Sequence, residues 1–271
     1  MIIIKKGINA MAQLATKHLS CGYEKKNVLN NLTLEIPENK ITSLIGPNGS
    51  GKTTLLKTLA RMLSPKSGSV QLNGKDIYHL NTKYVAQKIA VLAQKNNQVE
   101  GLNVEEIVSY GRFPYQKGFA SLQKEDYKWV QWALEVTGLL DLKQRNLHSL
   151  SGGQQQRVWL AMALAQDTEI LLLDEPISFL DPAHQLEILY LLEEINRQGK
   201  TILMTIHDLN HAAQFSDYIL GIKQSEPLLM GTPEEVFTPK HLFELFDIQP
   251  EVIFSEKNHK PVIISYDLAR N

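Results

Sequence analysis

The sequence predicts an α/β fold: a largely parallel core sheet, strands that open the chain and a block of helices inserted midway. Three observations carry that expectation. An apolar strand pattern at 41–45 runs directly into a glycine loop and then into helical spacing. From about residue 96 the pattern turns helical and stays so to about 165. The all-apolar run ILLL at 170–173 then suits a central parallel strand and reopens the strand-helix alternation.

Taken in order, Thr16 to Cys21 and the alternating Leu32, Leu34 and Ile36 read as neighbouring strands, the second half-buried. ITSLI at 41–45 is the next strand, and Leu55, Leu56 and Leu59 carry the helix after it. Residues 68–72 form a strand that enters a tight turn at Asn73-Gly74, and 89–93 form another. Asn103 with Glu106 is a capping-box pair, and 127–136 is a helical stretch rich in Trp and Leu. Ser151 with Gln154 is a second capping box, opening a helix to about Gln166. Asp181-Pro182 reads as a cap and a first-turn proline, with a helix to Gly199 and a core strand at 201–206. Val252, Phe254 and 262–264 alternate as a small terminal hairpin. Residues 1–12 show no pattern and are read as a flexible extension; 13–95 and 166–245 are read as the core, 96–165 as the helical insert and 246–271 as a C-terminal extension.

Composition narrows the function classes. The chain has 271 residues, 28 Lys and Arg against 29 Asp and Glu, and a net charge of -1. No broad attraction to nucleic acid follows from that balance, and no nucleic-acid partner is expected. Cys21 is the single cysteine, which excludes an intrachain disulfide and suits a reducing compartment. The apolar runs fall far short of the roughly 20 residues that a spanning helix needs. Lys5 and Lys6 follow the apolar start, the reverse of a signal peptide's charge order.

The chemistry concentrates in three segments. Gly46, Pro47, Asn48, Gly49, Ser50, Gly51, Lys52, Thr53 and Thr54 read GPNGSGKTT and match the GxxxxGK[ST] phosphate loop. In that loop backbone amides turn inward around phosphate oxygens, the lysine reaches the terminal phosphates and the hydroxyl after it serves Mg2+. A plain glycine turn would not need a strand before it and a helix after it. Asp174 and Glu175 end the strand at 170–173, where parallel sheets bind ligands. Asp174 suits a water-mediated contact to Mg2+, and Glu175 suits a general base that deprotonates an attacking water. An acidic pair after a strand is more often an ordinary helix cap, and its place downstream of a phosphate loop reverses that preference. LSGGQ at 150–154 sets Ser151, Gly152, Gly153 and Gln154 at a helix start with a bare backbone, a second anion site.

These motifs together resemble the ATP-binding-cassette ATPases over about Thr16 to Thr232. The resemblance implies a P-loop NTPase (RecA-like) core with an N-terminal antiparallel β subdomain and an inserted α-helical subdomain. It also implies a head-to-tail homodimer, in which the phosphate loop of one copy and LSGGQ of the other enclose each ATP. By the same resemblance Tyr23 stacks on adenine, Gln94 senses Mg2+ and the attacking water, Asp181 crosses the dimer interface and His207 holds the γ-phosphate. Taken singly, Tyr23 reads equally as a core aromatic, Gln94 as a strand end, Asp181 as a cap and His207 as a core histidine. Ile177, Phe179 and the glycine-free turn at 223–227 depart from the family's usual pattern without touching the proposed chemistry.

The segment 91–115 with GRFPY at 111–115, together with Phe119, is similar to the cassettes of iron-siderophore, haem and cobalamin importers. That aromatic loop reads either as a docking patch or as filling inside the helical insert. The resemblance implies ATP hydrolysis coupled to uptake of a metal chelate, an iron-siderophore first. The partners are integral membrane permease subunits and, indirectly, an extracytoplasmic substrate-binding protein. The chain then sits peripherally on the cytoplasmic face of the inner membrane. The alternatives are haem or cobalamin import, and a soluble cassette ATPase of iron-sulfur cluster assembly. A small-molecule kinase would leave LSGGQ unexplained.

Overall fold

A computed structural model describes residues 13–24, 26–93, 101–116, 122–224 and 226–268. The extension at 1–12, Gln94 and Phe119 lie outside those residues. The chain opens with β1 (Leu14–Tyr23) and β2 (Lys26–Ile36), an antiparallel pair running from Leu14↔Ile36 to Tyr23↔Lys26 with register shifts between Thr16 and Gly22. Next comes β3 (Ile41–Ile45), buried at every residue as its unbroken apolar run requires, and α1 (Lys52–Leu59). β4 (Ser67–Leu72) turns through Asn73 and Gly74, at φ of 51° and 74°, into β5 (Lys75–Asp76). Positive φ at both central residues is what a tight hairpin with right-handed strand twist demands, and Asn-Gly supplies it.

The chain then forms α2 (Thr82–Ala86), capped by the Asn81 side chain, and β6 (Ile89–Leu92). α3 (Val104–Ser109) carries the expected capping box: Glu106 N donates to Asn103 Oδ1 at 2.9 Å and Asn103 N to Glu106 Oε2 at 2.8 Å. α4 (Lys124–Val136) and α5 (Gly152–Ala165) follow, then β7 (Ile170–Leu173) and α6 (Pro182–Arg197). β8 (Thr201–Thr205), α7 (Leu209–Phe215), β9 (Tyr218–Lys223) and β10 (Glu226–Gly231) resume the alternation. α8 (Pro233–Val236) and α9 (Pro239–Phe246) lead to β11 (Ile248–Phe254) and β12 (Pro261–Leu268), the expected terminal hairpin.

The chain forms two compact units, one made of Met1–His79 with Thr201–Asn271 and the other of Leu80–Lys200. The first unit holds an antiparallel sheet ordered β2-β1-β4-β5 and the strand series β10-β9-β3-β8. In that series β3 lies between β8 and β9 and is parallel to both. The second unit holds the parallel pair β6 and β7 with α2 to α6. Its helices close on a buried ion pair, Arg112 Nε donating to Asp126 Oδ1 at 3.0 Å with the two side chains 5% and 10% exposed. The same guanidinium donates to Ala165 O at the end of α5 and lies 3.9 Å from the Tyr115 ring centroid. GRFPY therefore divides its roles: Arg112 fills the helical core, while Phe113 and the preceding Tyr110 stack on each other at the surface.

Several element ends differ from expectation by a few residues, among them β1, which runs from Leu14 to Tyr23, and β6, which stops at Leu92. The helix expected to reach Gly199 stops at Arg197, and the strand expected through Ile206 stops at Thr205. The helix end frays through Gln198 and Gly199, whose N–H groups still donate to Glu194 O and Asn196 O, and the apolar run of β8 continues one residue past its pairing. β9 and β10 also turn without glycine, Gln224 itself taking φ 50°.

Candidate functional site

The first unit assembles a phosphate loop and a histidine from two neighbouring strands. β3 and β8 run parallel with Leu44 opposite Thr205, and β9 flanks β3 with Gly221 opposite Ile45. The chain therefore leaves β3 at Gly46 and leaves β8 towards His207 from the same sheet edge, the carboxyl edge where parallel sheets receive ligands. Gly46 has φ 147°, and a Cβ there would stand 2.0 Å from Ile222 O, so only glycine fits the first step of the loop. Ser50 N donates to Pro47 O at 3.2 Å, which rounds the loop and leaves Asn48 and Gly49 exposed at its tip. Lys52 is 8% exposed and its Nζ donates to Gly46 O at 2.7 Å and Pro47 O at 2.9 Å. Its ammonium is thus held across the loop mouth by two carbonyls.

Ser50 Oγ is buried with no hydrogen-bond partner, an orphaned hydroxyl inside a loop built to receive oxygens. Thr53 is half-buried and Thr54 buried in the first turn of α1. His207 is exposed one residue after the buried Ile206, and Asp208 caps α7 by accepting from His211 N at 2.8 Å. His207 is thus not a core histidine. Tyr23 ends β1 with 47% of its surface exposed, so it is not a core aromatic either.

The second unit carries the carboxylates and the glycine-capped helix. Asp174 N donates to Leu92 O at 2.8 Å, extending the β6–β7 ladder by one residue, and its side chain is buried. Glu175 follows in the left-handed region at φ 54°, a conformation that costs a non-glycine residue about 1–3 kcal/mol and persists only when neighbours hold it. Two neighbours do so here. Gln156 Nε2 donates to Glu175 O at 3.1 Å, and Ser178 Oγ donates to Glu175 Oε2 at 2.9 Å. At the head of α5, Gln154 N donates to Ser151 Oγ at 3.3 Å and Ser151 N to Gln154 Oε1 at 3.0 Å. Ser151 and Gly152 are exposed, leaving that helix start accessible.

A Cβ on Gly153 would come within 2.9 Å of Leu180 Cδ2 and 3.3 Å of Phe179 O. The helix start is therefore packed on the segment that leads to Asp181. Asp181 caps α6 by accepting from His184 N at 3.0 Å, and its other oxygen meets His184 Nδ1 at 2.7 Å. The His184 backbone N–H, and then its ring, hold the Asp181 carboxyl below the ordinary carboxylate range.

The sequence profile of the ABC transporter family matches residues 29–178, more than half of the chain. The chain belongs to the ABC transporter family. The iron(3+)-hydroxamate import ATP-binding protein FhuC of Bacillus subtilis (strain 168) is 50% identical over 262 residues, 96% of this chain and 97% of that protein. Among solved structures, a putative metal-chelate type ABC transporter in an inward-facing conformation superposes with a TM-score of 0.79 at 26% identity, over 94% of this chain and 97% of the other. The dimeric, post-hydrolysis ATP-binding cassette MJ0796 bound to ADP and Pi superposes with a TM-score of 0.72 at 29% identity, over 81% and 98%.

As an ABC ATPase, the chain divides its candidate residues between its two units. Tyr23, the loop 46–54 and His207 are placed by the first; Asp174, Glu175, Ser151 to Gln154 and Asp181 by the second. Gln156 and Ser178 escaped the sequence reading. For Gln156 a signal existed: it shares a helical face with Leu160, Ala163 and Leu164, all buried, and a polar side chain on such a face needs a partner. For Ser178 none did, because a serine three residues after a carboxylate has no distinguishing pattern.

Proposed function

We propose that the chain is the ATP-hydrolysing subunit of an importer of ferric siderophores. It works as a head-to-tail dimer on the cytoplasmic side of a separate membrane permease, which an extracytoplasmic binding protein supplies. The observation that carries the cargo class is the 50% identity, over 96% of the chain, to the Bacillus iron(3+)-hydroxamate import ATP-binding protein. No helix of the described residues is long and apolar enough to cross a membrane, which fits a permease on another chain.

In the proposed reaction Lys52 and the inward amides of residues 48–51 hold the β- and γ-phosphates, and Tyr23 stacks on adenine. The described residues contain no group of three or more His, Cys, Asp or Glu able to hold a metal. Mg2+ would be bound by the Thr53 hydroxyl and the Asp174 carboxylate, with Gln94 as a further contact, and phosphate oxygens would complete its shell. Bound there, the ion neutralises phosphate charge during transfer. Glu175, oriented by Ser178 and Gln156, takes the proton of a water whose oxygen attacks the γ-phosphorus as the bond to the bridging oxygen breaks. His207 steadies the γ-phosphate. Ser151, Gly152, Gly153 and Gln154 of the second copy present their helix start to the same phosphate, and Asp181 lies at the interface between copies.

The test is uptake by vesicles reconstituted with the chain and its copurified permease. ATP-dependent accumulation of ferric hydroxamate over haem and cobalamin is expected. Accumulation of cobalamin or haem alone would overturn the cargo, and a soluble complex free of any permease would overturn the transporter.

A further inference from the structure

The C-terminal hairpin of β11 and β12 has no part in the reaction above, yet it is fastened along one helix. That helix is α7, seven residues long, which begins two residues after His207. Two turns of helix are marginal on their own, so α7 depends on what packs around it. Ala212, Ala213 and Phe215 turn inward and are buried. Asn210 and Gln214, four residues apart, share another face. The hairpin meets that face. Asn210 Nδ2 donates to Ile263 O at 3.0 Å while Ile263 N donates to Asn210 Oδ1 at 2.8 Å, so one side-chain amide pairs with β12 as a further strand would. Asn258 Nδ2 donates to Gln214 Oε1 at 2.9 Å. Lys260 Nζ donates to Ser216 O at 2.7 Å, a cation on the carbonyl just past the helix end, where the helix dipole favours it. Lys223 and Asp247 in turn tie the foot of the hairpin to β9, with both carboxylate oxygens 2.8 Å from the ammonium.

We propose that Asn210 is a positioning residue for ATP hydrolysis: through it the C-terminal hairpin fixes the first turn of α7, and thereby the place of the His207 imidazole beside the phosphate loop. His207 is held from behind by β8, paired with β3, and from ahead by α7. Only the second support is adjustable, because β8 lies in a parallel sheet flanked by β3. This inference rests on the role given to His207 above.

The test uses the full-length chain and three measurements: kcat, KM for ATP, and nucleotide affinity by direct titration. Asn210→Leu keeps the branching and heavy-atom count of the side chain and removes both hydrogen bonds to Ile263. Its kcat is expected to fall on the order of ten- to a hundredfold, the range that misplacement of a reacting group produces, with KM and affinity unchanged. Lys260→Met is expected to shift kcat in the same direction and Lys260→Arg to restore it, which keeps the test usable if Asn210→Leu fails to fold. His207→Ala is expected to lose turnover while still binding nucleotide, and Asn210→Leu added to it should cost nothing more. A wild-type kcat in Asn210→Leu, alongside an inactive His207→Ala, would overturn the brace and leave the site reading intact. A further loss in the double variant, or a fall in affinity matching the fall in kcat, would likewise overturn the brace. Full turnover in His207→Ala would overturn the role of His207, and the brace with it.

Discussion

At the residue scale, the proposed reaction gives binding to Lys52 and chemistry to Glu175. Lys52 rests on the carbonyls of Gly46 and Pro47, so in the proposed reaction nucleotide entry would exchange those two acceptors for phosphate oxygens. The exchange is expected to be favourable because it sets the ammonium against ionised phosphate oxygens in a partly buried loop, adding the attraction of opposite charges that a neutral carbonyl lacks. Lys52→Ala should therefore weaken ATP binding in a direct titration, and unaltered affinity would refute its role. Glu175→Gln keeps size and most hydrogen bonding but cannot accept the proton from water. Turnover should fall by about 10²–10⁴-fold with binding retained, and normal single-turnover hydrolysis would remove Glu175 as the base. Motif and spacing singled out both residues as candidates. The backbone strain at Glu175 was not legible, because the bonds from Gln156 and Ser178 that sustain it join residues with no periodic relation.

At the scale of elements, what could be read was whatever is local in sequence. The capping boxes at Asn103 and Ser151, the cap at Asp181 and the Asn73-Gly74 turn each depend on residues within three or four positions, and each is formed as expected. Helix and strand ends near 198 and 206 were displaced by one or two residues, where local pattern gives no stop. Long-range side-chain bonds were out of reach, and Arg112 is the clearest case. Its sequence setting, between Gly111 and Phe113, left a docking patch and filling inside the insert equally open, and its guanidinium joins the start of α4 to the end of α5 inside the helical unit. Arg112→Ala would leave Asp126 buried without its cation. We expect a loss of about 3–5 kcal/mol in denaturant unfolding, the range for breaking a buried pair on one side. A loss below about 1 kcal/mol would mean that the pair behaves like an exposed one.

At the scale of the whole molecule, the near-neutral charge and the absence of a spanning helix among the described residues agree with the composition. The β3–β8 register, with Leu44 opposite Thr205, was not readable, because pairing partners some 160 residues apart leave no trace in a local window. That interleaving bears on how the protein is made. Both flanking neighbours of β3 lie beyond residue 200, so a ribosome that has completed the entire helical unit has still not supplied the strands that hold the phosphate loop. Chains arrested at Lys200 should accordingly show protease protection within 80–200 while 41–60 is cut freely, and early protection of 41–60 would contradict this order. The nucleotide-binding segment, among the first to emerge, is then among the last to mature, and its exposed apolar strand is what a chaperone would have to shield in the interval.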